Sequence, residues 1–146
     1  MKILLAVNGT LMRDLTLNKN LVSAGAEFIR DTKTAVCYSL WSINDEYPAM
    51  LRSSKGGNSI DVEVWKIATD GLLDVLSKEP PGLCLGKIEL IDNTHILGIL
   101  AETWLCEGQK EITAWRGWRN YIADPNFPGV PGLHSVDDHS AQKTEN

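Results

Sequence analysis

Three features of this sequence predict an α+β fold, an antiparallel or mixed sheet curled into a small β-barrel and flanked by short helices. Strand-like stretches follow one another mostly through hairpin-type turns, three short helical stripes interrupt them, and the regular strand–helix alternation of a doubly wound sheet is missing. The 146 residues, 43% hydrophobic and 23% charged, are enough for one core and too few for two full domains.

The first element, Ile3 to Val7, is an apolar run of strand formers that ends in a tight loop, Asn8-Gly9-Thr10-Leu11. Leu15, Leu17, Leu21, Val22 and Ala24 then mark a short helix closed by Gly25. From Thr32 to Ile43, Thr34, Val36, Tyr38 and Leu40 alternate with their neighbours as a half-buried strand does. Asn44-Asp45, Pro48 and Gly56-Gly57 fill the next stretch with turn and hairpin chemistry. Ser59 to Ile67 alternates again, with Asp61 and Glu63 opposite Ile60, Val62 and Val64. Glu63 therefore points either into the barrel, where its titration would be perturbed, or into water.

Thr69 or Asp70 can cap the following helix, whose stripe of Leu72, Leu73, Val75 and Leu76 is stopped by Pro80-Pro81. Leu83 to Ile91 and His95 to Leu105 form a hairpin around Asp92-Asn93, and Glu102 on its second arm has the same two readings as Glu63. Glu111 to Ala123 reads as a helix, with Trp115, Trp118, Tyr121 and Ile122 on one face. That face suits either closure of the barrel or a homodimer contact. The folded domain thus spans 1–123. A tail over 124–146, rich in Pro and Gly and acidic, is expected to be extended or disordered.

Nineteen acidic residues against fourteen basic ones give a net charge of −5, which repels nucleic acid and anionic membrane surfaces. The tail carries three of those charges, so the case against a nucleic-acid partner rests chiefly on the lack of a basic patch. Arg116 and Arg119 do lie among aromatic residues in 115–121, a mix that suits a single-strand platform, but their helical spacing favours core anchoring. No apolar run approaches the roughly 18 residues of a membrane span, and Lys2 to Val7 stops short of the ~7–15-residue core of a signal peptide. Cys37, Cys84 and Cys106 are widely spaced without a CxxC pair, so they are expected to be small buried hydrophobes in a reducing, cytoplasmic compartment. His134 and His139 flank Asp137-Asp138 without a fixed scaffold, and no metal site is expected.

Two places carry chemistry. A Gly in a loop after a strand lets backbone approach a ligand, and the N–H groups of Gly9, Thr10, Leu11 and Met12 can nest a carboxylate or a developing oxyanion; alternatively Gly9 serves only the turn. Arg13 after this loop, or Arg52 beyond it, has the fork geometry to grip a substrate carboxylate.

The loop Asn8-Gly9-Thr10-Leu11-Met12-Arg13, directly after a first buried strand, resembles the Tyr-Gly-Ser/Thr-Leu loop of γ-glutamylcyclotransferase-like proteins. The runs 56–65, 80–86 and 111–121, with Leu15-Thr16-Leu17-Asn18, look like the C-terminal domain of allophanate hydrolase, a branch of the same superfamily; Gly117-Trp118-Arg119-Asn120-Tyr121 is the most specific part. The resemblance covers roughly Ile3 to Ala123. It implies a barrel with a pocket at the first loop, loss of CO₂ from a small N-carboxylated carbamate or amide, and no cofactor. Leu11 stands where that pattern has His. The superfamily's catalytic glutamate falls on Glu79, fourteen residues beyond Trp65, where it would serve cyclotransferase-like chemistry as general acid/base. That carboxyl sits beside Pro80 near apolar Leu83, so it is either desolvated or a solvated helix-end group next to Lys78. Because the parent enzyme has an amidase that this sequence lacks, the chain is expected to stand alone or to serve as an assembly module for an amidase partner.

Overall fold

A computed structural model describes residues 1–129. The expectations for His134, His139 and Asp137-Asp138 lie outside the described residues.

The described residues form eight strands: β1 (Lys2–Val7), β2 (Glu27–Lys33), β3 (Tyr38–Ile43), β4 (Tyr47–Arg52), β5 (Asp61–Ala68), β6 (Leu83–Glu89), β7 (His95–Ala101) and β8 (Lys110–Glu111). Five of them form a mixed sheet in the order β2-β5-β1-β7-β6, and three form a second sheet, β4-β3-β8. The apolar run of the first strand earns its central place. It pairs antiparallel with β5, Leu5 opposite Trp65, and parallel with β7, Leu5 opposite Leu97.

The α+β class is as the sequence predicts, but the sheets do not close into a barrel. Among the described residues, the edges β2 and β6 meet only through the isolated bridge Thr34–Leu90 and the neighbouring bonds Ala35 N–H to Glu89 O and Ile91 N–H to Lys33 O. Tyr38, at the start of the second sheet, lies beside this gap, its hydroxyl accepting the Glu89 N–H at 2.9 Å. The core between the sheets holds Tyr38, Leu40, Met50, Ile60, Ile88, Leu90, Ile112, Trp118 and Tyr121, all fully buried.

The helices are short: α1 (Asn18–Ser23), α2 (Thr69–Ser77), α3 (Thr103–Cys106) and α4 (Trp118–Ala123). Gly25, at φ +80°, ends α1 with its N–H on Val22 O, a left-handed position that suits Gly. Neither Thr69 nor Asp70 caps α2, whose N-cap position is Ala68 with no side-chain hydrogen bond. The strand expected over 32–43 is two strands, and a polar edge strand, β2, begins earlier. The arm expected to run to Leu105 stops at Ala101 and turns into α3. The helix expected over 111–123 is three pieces, β8, a 3-10 turn at Thr113–Trp115 and α4, because Arg116 takes a left-handed φ of +65°. Trp118 and Tyr121 are buried in the chain's own core, and Phe127 stacks edge-on against both.

Candidate functional site

A cleft of about 260 Å³ opens where three segments meet: the turn after β1, the β3–β4 hairpin and the end of α2. Thr10, Glu46, Tyr47, Glu79 and Leu83 line it, and a narrow recess of about 20 Å³ continues from it past Gly9, Leu11 and Pro48.

The turn is held by its carbonyls. Gly9 O accepts the Met12 N–H at 2.9 Å, Thr10 O accepts the Leu17 N–H at 2.9 Å, and Leu11 O accepts Asn18 Nδ2 at 2.9 Å. Among the described residues, no acceptor faces the N–H groups of Gly9, Thr10 and Leu11. Three donors of successive residues are thus without an acceptor among the described residues while their carbonyls are spent inside the protein. The Met12 N–H is not among them. Gly9 is required by a neighbour: a Cβ there would lie 2.5 Å from Cγ and Cδ of Pro48. Just before the turn, Asn8 Nδ2 donates to Ile99 O at 2.9 Å and ties it to β7.

The opposite wall comes from the hairpin tip, where Asn44 and Asp45 both take left-handed conformations. Asp45 Oδ1 accepts the Tyr121 hydroxyl at 2.6 Å and the Ser42 hydroxyl at 2.7 Å. Burial and the bond to Asp45 push the Tyr121 phenol up to about 12, so it stays a donor and pins the tip that carries Tyr47 and Pro48.

Glu79 supplies the third wall. It sits on the turn that ends α2, its N–H on Leu76 O at 3.1 Å, and it is half-buried. No ion pair or hydrogen bond reaches its carboxyl from any described residue, and desolvation raises its pKa to about 7. The carboxyl is thus half-buried and unpaired, and Lys78 beside it pairs with Asp74 at 3.1 Å. The Tyr47 hydroxyl is also raised, by burial first and then by Glu46 and Glu79.

The structure brings Gly9, Thr10, Leu11 and Glu79 together and leaves the other candidates elsewhere. Met12 is buried on the far side of the turn, on the wall of a second cleft of about 360 Å³. Arg13 points the same way, bonded to Glu63 and Asp31 and stacked 3.7 Å over the Phe28 ring. Arg52 pairs with Glu89 at 3.1 Å at the other end of the hairpin. Among the described residues, no Arg or Lys lines the cleft at Gly9. Glu63 is buried and Glu102 is exposed, the latter accepting the Trp104 Nε1 proton. The second cleft is larger, but its buried carboxylate, Glu63, is saturated with donors, whereas Glu79 at the Gly9 turn has none among the described residues. The three cysteines are unpaired, but only Cys106 is the buried hydrophobe the sequence predicts, its thiol pushed up to about 11 by burial; Cys37 and Cys84 are half-buried because each lies at the rim of its sheet rather than in the core. Among the described residues no cluster of His, Cys, Asp or Glu could hold a metal ion, and no helix is long and apolar enough to cross a membrane. Tyr47 was missed by sequence reasoning, since a Tyr beside a turn carries no signal until Pro48 is seen against Gly9.

Comparison with known proteins agrees with this architecture. A uropathogenic E. coli-specific protein of known structure is 49% identical, with a TM-score of 0.83, over 85% of this chain and 98% of that one. Kluyveromyces lactis allophanate hydrolase is 26% identical, with a TM-score of 0.79, over 84% of this chain and 21% of that chain. Urea amidolyase of Saccharomyces cerevisiae is 28% identical over 125 residues, 81% of this chain. The chain spans only 7% of that relative's length. Residues 3–123 match the family described as allophanate hydrolase C-terminal domain, and the chain belongs to that family.

Proposed function

We propose that the cleft at the Gly9 turn binds a small N-carboxylated carbamate or related carboxylated amide and releases CO₂ from it, with Glu79 as the proton donor. The substrate carboxylate lies on the N–H groups of Gly9, Thr10 and Leu11, which offer fixed dipoles in place of the arginine that sequence reasoning assigned to this task. Glu79, whose desolvated carboxyl holds its proton toward neutral pH, gives that proton to the substrate nitrogen as the C–N bond to the leaving carboxyl breaks. The bonding pair stays on nitrogen, the carboxyl departs as CO₂, and water returns a proton to Glu79. Relatives named for allophanate, a carboxylated urea, support the substrate class. The observation that carries this reading is the unpaired carboxyl with a pKa of about 7 across the cleft from three free N–H donors.

The test supplies the substrate in situ, from a separate purified amidase, and follows labelled CO₂ and bicarbonate by NMR. The protein should accelerate release, and Glu79→Gln should lower the rate by about 10²-fold or more. Equal release with and without the protein, or full activity in Glu79→Gln, overturns the proposal. The position of Glu79 also supports a second reading, in which it moves the proton while an amine attacks a γ-glutamyl carbonyl; 5-oxoproline from γ-glutamyl substrates, lost in Glu79→Gln, would establish that one instead. A third reading, a non-catalytic binding module, would follow from stoichiometric co-purification with an amidase and no turnover of either substrate.

A further inference from the structure

The run Gly117-Trp118-Arg119-Asn120-Tyr121 carries one cation, Arg119, and it does not line the cleft at Gly9. Arg119 reaches the back of the turn that forms the cleft. Its Nη2 donates to Arg13 O at 2.7 Å and to Glu63 Oε2 at 2.7 Å. Glu63 Oε1 accepts the Arg13 N–H at 2.9 Å, Oε2 accepts Arg13 Nε at 3.2 Å, and Trp65 Nε1 fixes Oε1 at 3.1 Å. Both peptide groups of Arg13 are therefore gripped, the N–H by a carboxylate and the carbonyl by a guanidinium. At the other end of the same turn, Val7 pairs with the backbone of Glu63 in the β1–β5 ladder. One residue, 1% exposed, thus closes both ends of the segment 8–12, by its main chain at one end and its side chain at the other.

We propose that Glu63 and Arg119 are positioning residues that set where the Gly9, Thr10 and Leu11 N–H groups point, an inference that rests on reading those groups as the carboxylate site. Neither side chain lines the cleft at Gly9. Their effect passes through the Arg13 peptide groups, in the way that a supporting shell fixes a binding constellation to a fraction of an ångström. The buried Glu63 needs its donors for its own satisfaction, and by drawing them from the two sides of Arg13 it converts that need into a fixed turn geometry.

The experiment uses the full chain with Arg119→Met, which keeps the aliphatic stem and removes both donors. Backbone ¹⁵N relaxation should show new motion confined to residues 8–13, with the sheets unchanged. In the decarboxylation assay KM should rise about tenfold while kcat and its pH limb near 7 stay as in the wild type. Arg119→Lys keeps a donor on a shorter stem and should fall between the two; it replaces Arg119→Met if that variant does not fold. Unchanged relaxation at Gly9–Leu11, or changes spread evenly through the sheets, overturns the inference. The relaxation arm needs no turnover, so if the wild type releases no CO₂ the proposed function fails while the positioning role is still decided.

Discussion

Two carboxylates lie withdrawn from solvent on either side of one loop, and they have opposite surroundings. Glu63, on β5, receives the Arg13 N–H and Nε, the Trp65 indole and the Arg119 guanidinium, all within 3.2 Å. Glu79, at the end of α2, receives nothing from the described residues and is left with a pKa raised to about 7. Burial alone therefore does not decide what a carboxylate does. With donors, it holds structure together; without them, its charged form is disfavoured and its proton becomes available near neutral pH.

The largest break in this comparison is on the satisfied side. Glu63→Ala removes the shared acceptor of four donors and leaves two guanidiniums facing each other. Both arginine side chains are about 40% exposed and can regain water, so the cost sits near the bottom of the range for a broken buried pair, about 3 kcal/mol. Urea denaturation at pH 7 measures it. A loss below about 1 kcal/mol would mean that the donors are equally well served by solvent, and the contrast with Glu79 would collapse.

The unsatisfied side should show itself as a pH dependence of stability. The folded protein holds the Glu79 proton up to about pH 7, whereas the unfolded chain releases it near 4.5. Between those values the native state binds more protons, so the stability that Glu79 contributes is complete below about 4.5 and is lost as pH rises through about 7. Partial exposure tempers the effect to about 2 kcal/mol. Measured as the wild type minus Glu79→Gln, other titrations cancel; the difference should decline steadily across that window. A flat difference would mean that water enters the cleft and solvates the carboxylate.

Gly9 separates the two halves. Ala at this position would put a Cβ 2.5 Å from the Pro48 ring, and the hairpin bearing Tyr47 would have to retreat. Overpacking of this kind costs about 1–2 kcal/mol, and the carboxylate-binding recess should be lost while the Glu63 bonds survive. Thermal unfolding together with backbone amide shifts at Arg13 and Arg119 separates the outcomes: amides that move as far at Arg13 as at Tyr47 would show that the halves are one unit.

How much of this was legible follows from which interactions are local. The loop at Gly9 announced itself because an apolar strand followed by Asn-Gly has few other fates, and Glu79 lay at a countable distance from Trp65. Arg13 and Arg52 were read toward the substrate because a fork-shaped donor suits a carboxylate, and no local pattern shows that Glu63 and Asp31, 50 and 18 residues away along the chain, claim Arg13 first. Strand β2 was hidden for a related reason. As an edge strand with a bulge between Phe28 and Arg30, it buries little and breaks its own alternation. The aromatic run 115–121 has a helical spacing, yet the left-handed Arg116 divides it, and its carbonyl accepts the Asp61 N–H at 2.8 Å, a bond to a residue 55 positions away that no local spacing shows.

The smallest expected effect sharpens where the Glu63 cluster ends. Asp31 accepts Arg13 Nη2 at 2.9 Å on both oxygens, a geometry as good as any in the cluster, but its side chain is 70% exposed and Arg13's is 41% exposed. Solvent competes for both charges, and the guanidinium keeps its place through Phe28 beneath it and Glu63 beside it. Asp31→Ala should therefore cost no more than about 0.5 kcal/mol, and even that should fade in high salt, since exposed pairs are screened. Urea denaturation of the wild type and variant at low and at about 1 M salt is the measurement. A salt-independent loss above about 1.5 kcal/mol would extend the cluster outward to Asp31. The rigid backing of the Gly9 turn would then begin at the surface of β2, and not at the buried Glu63.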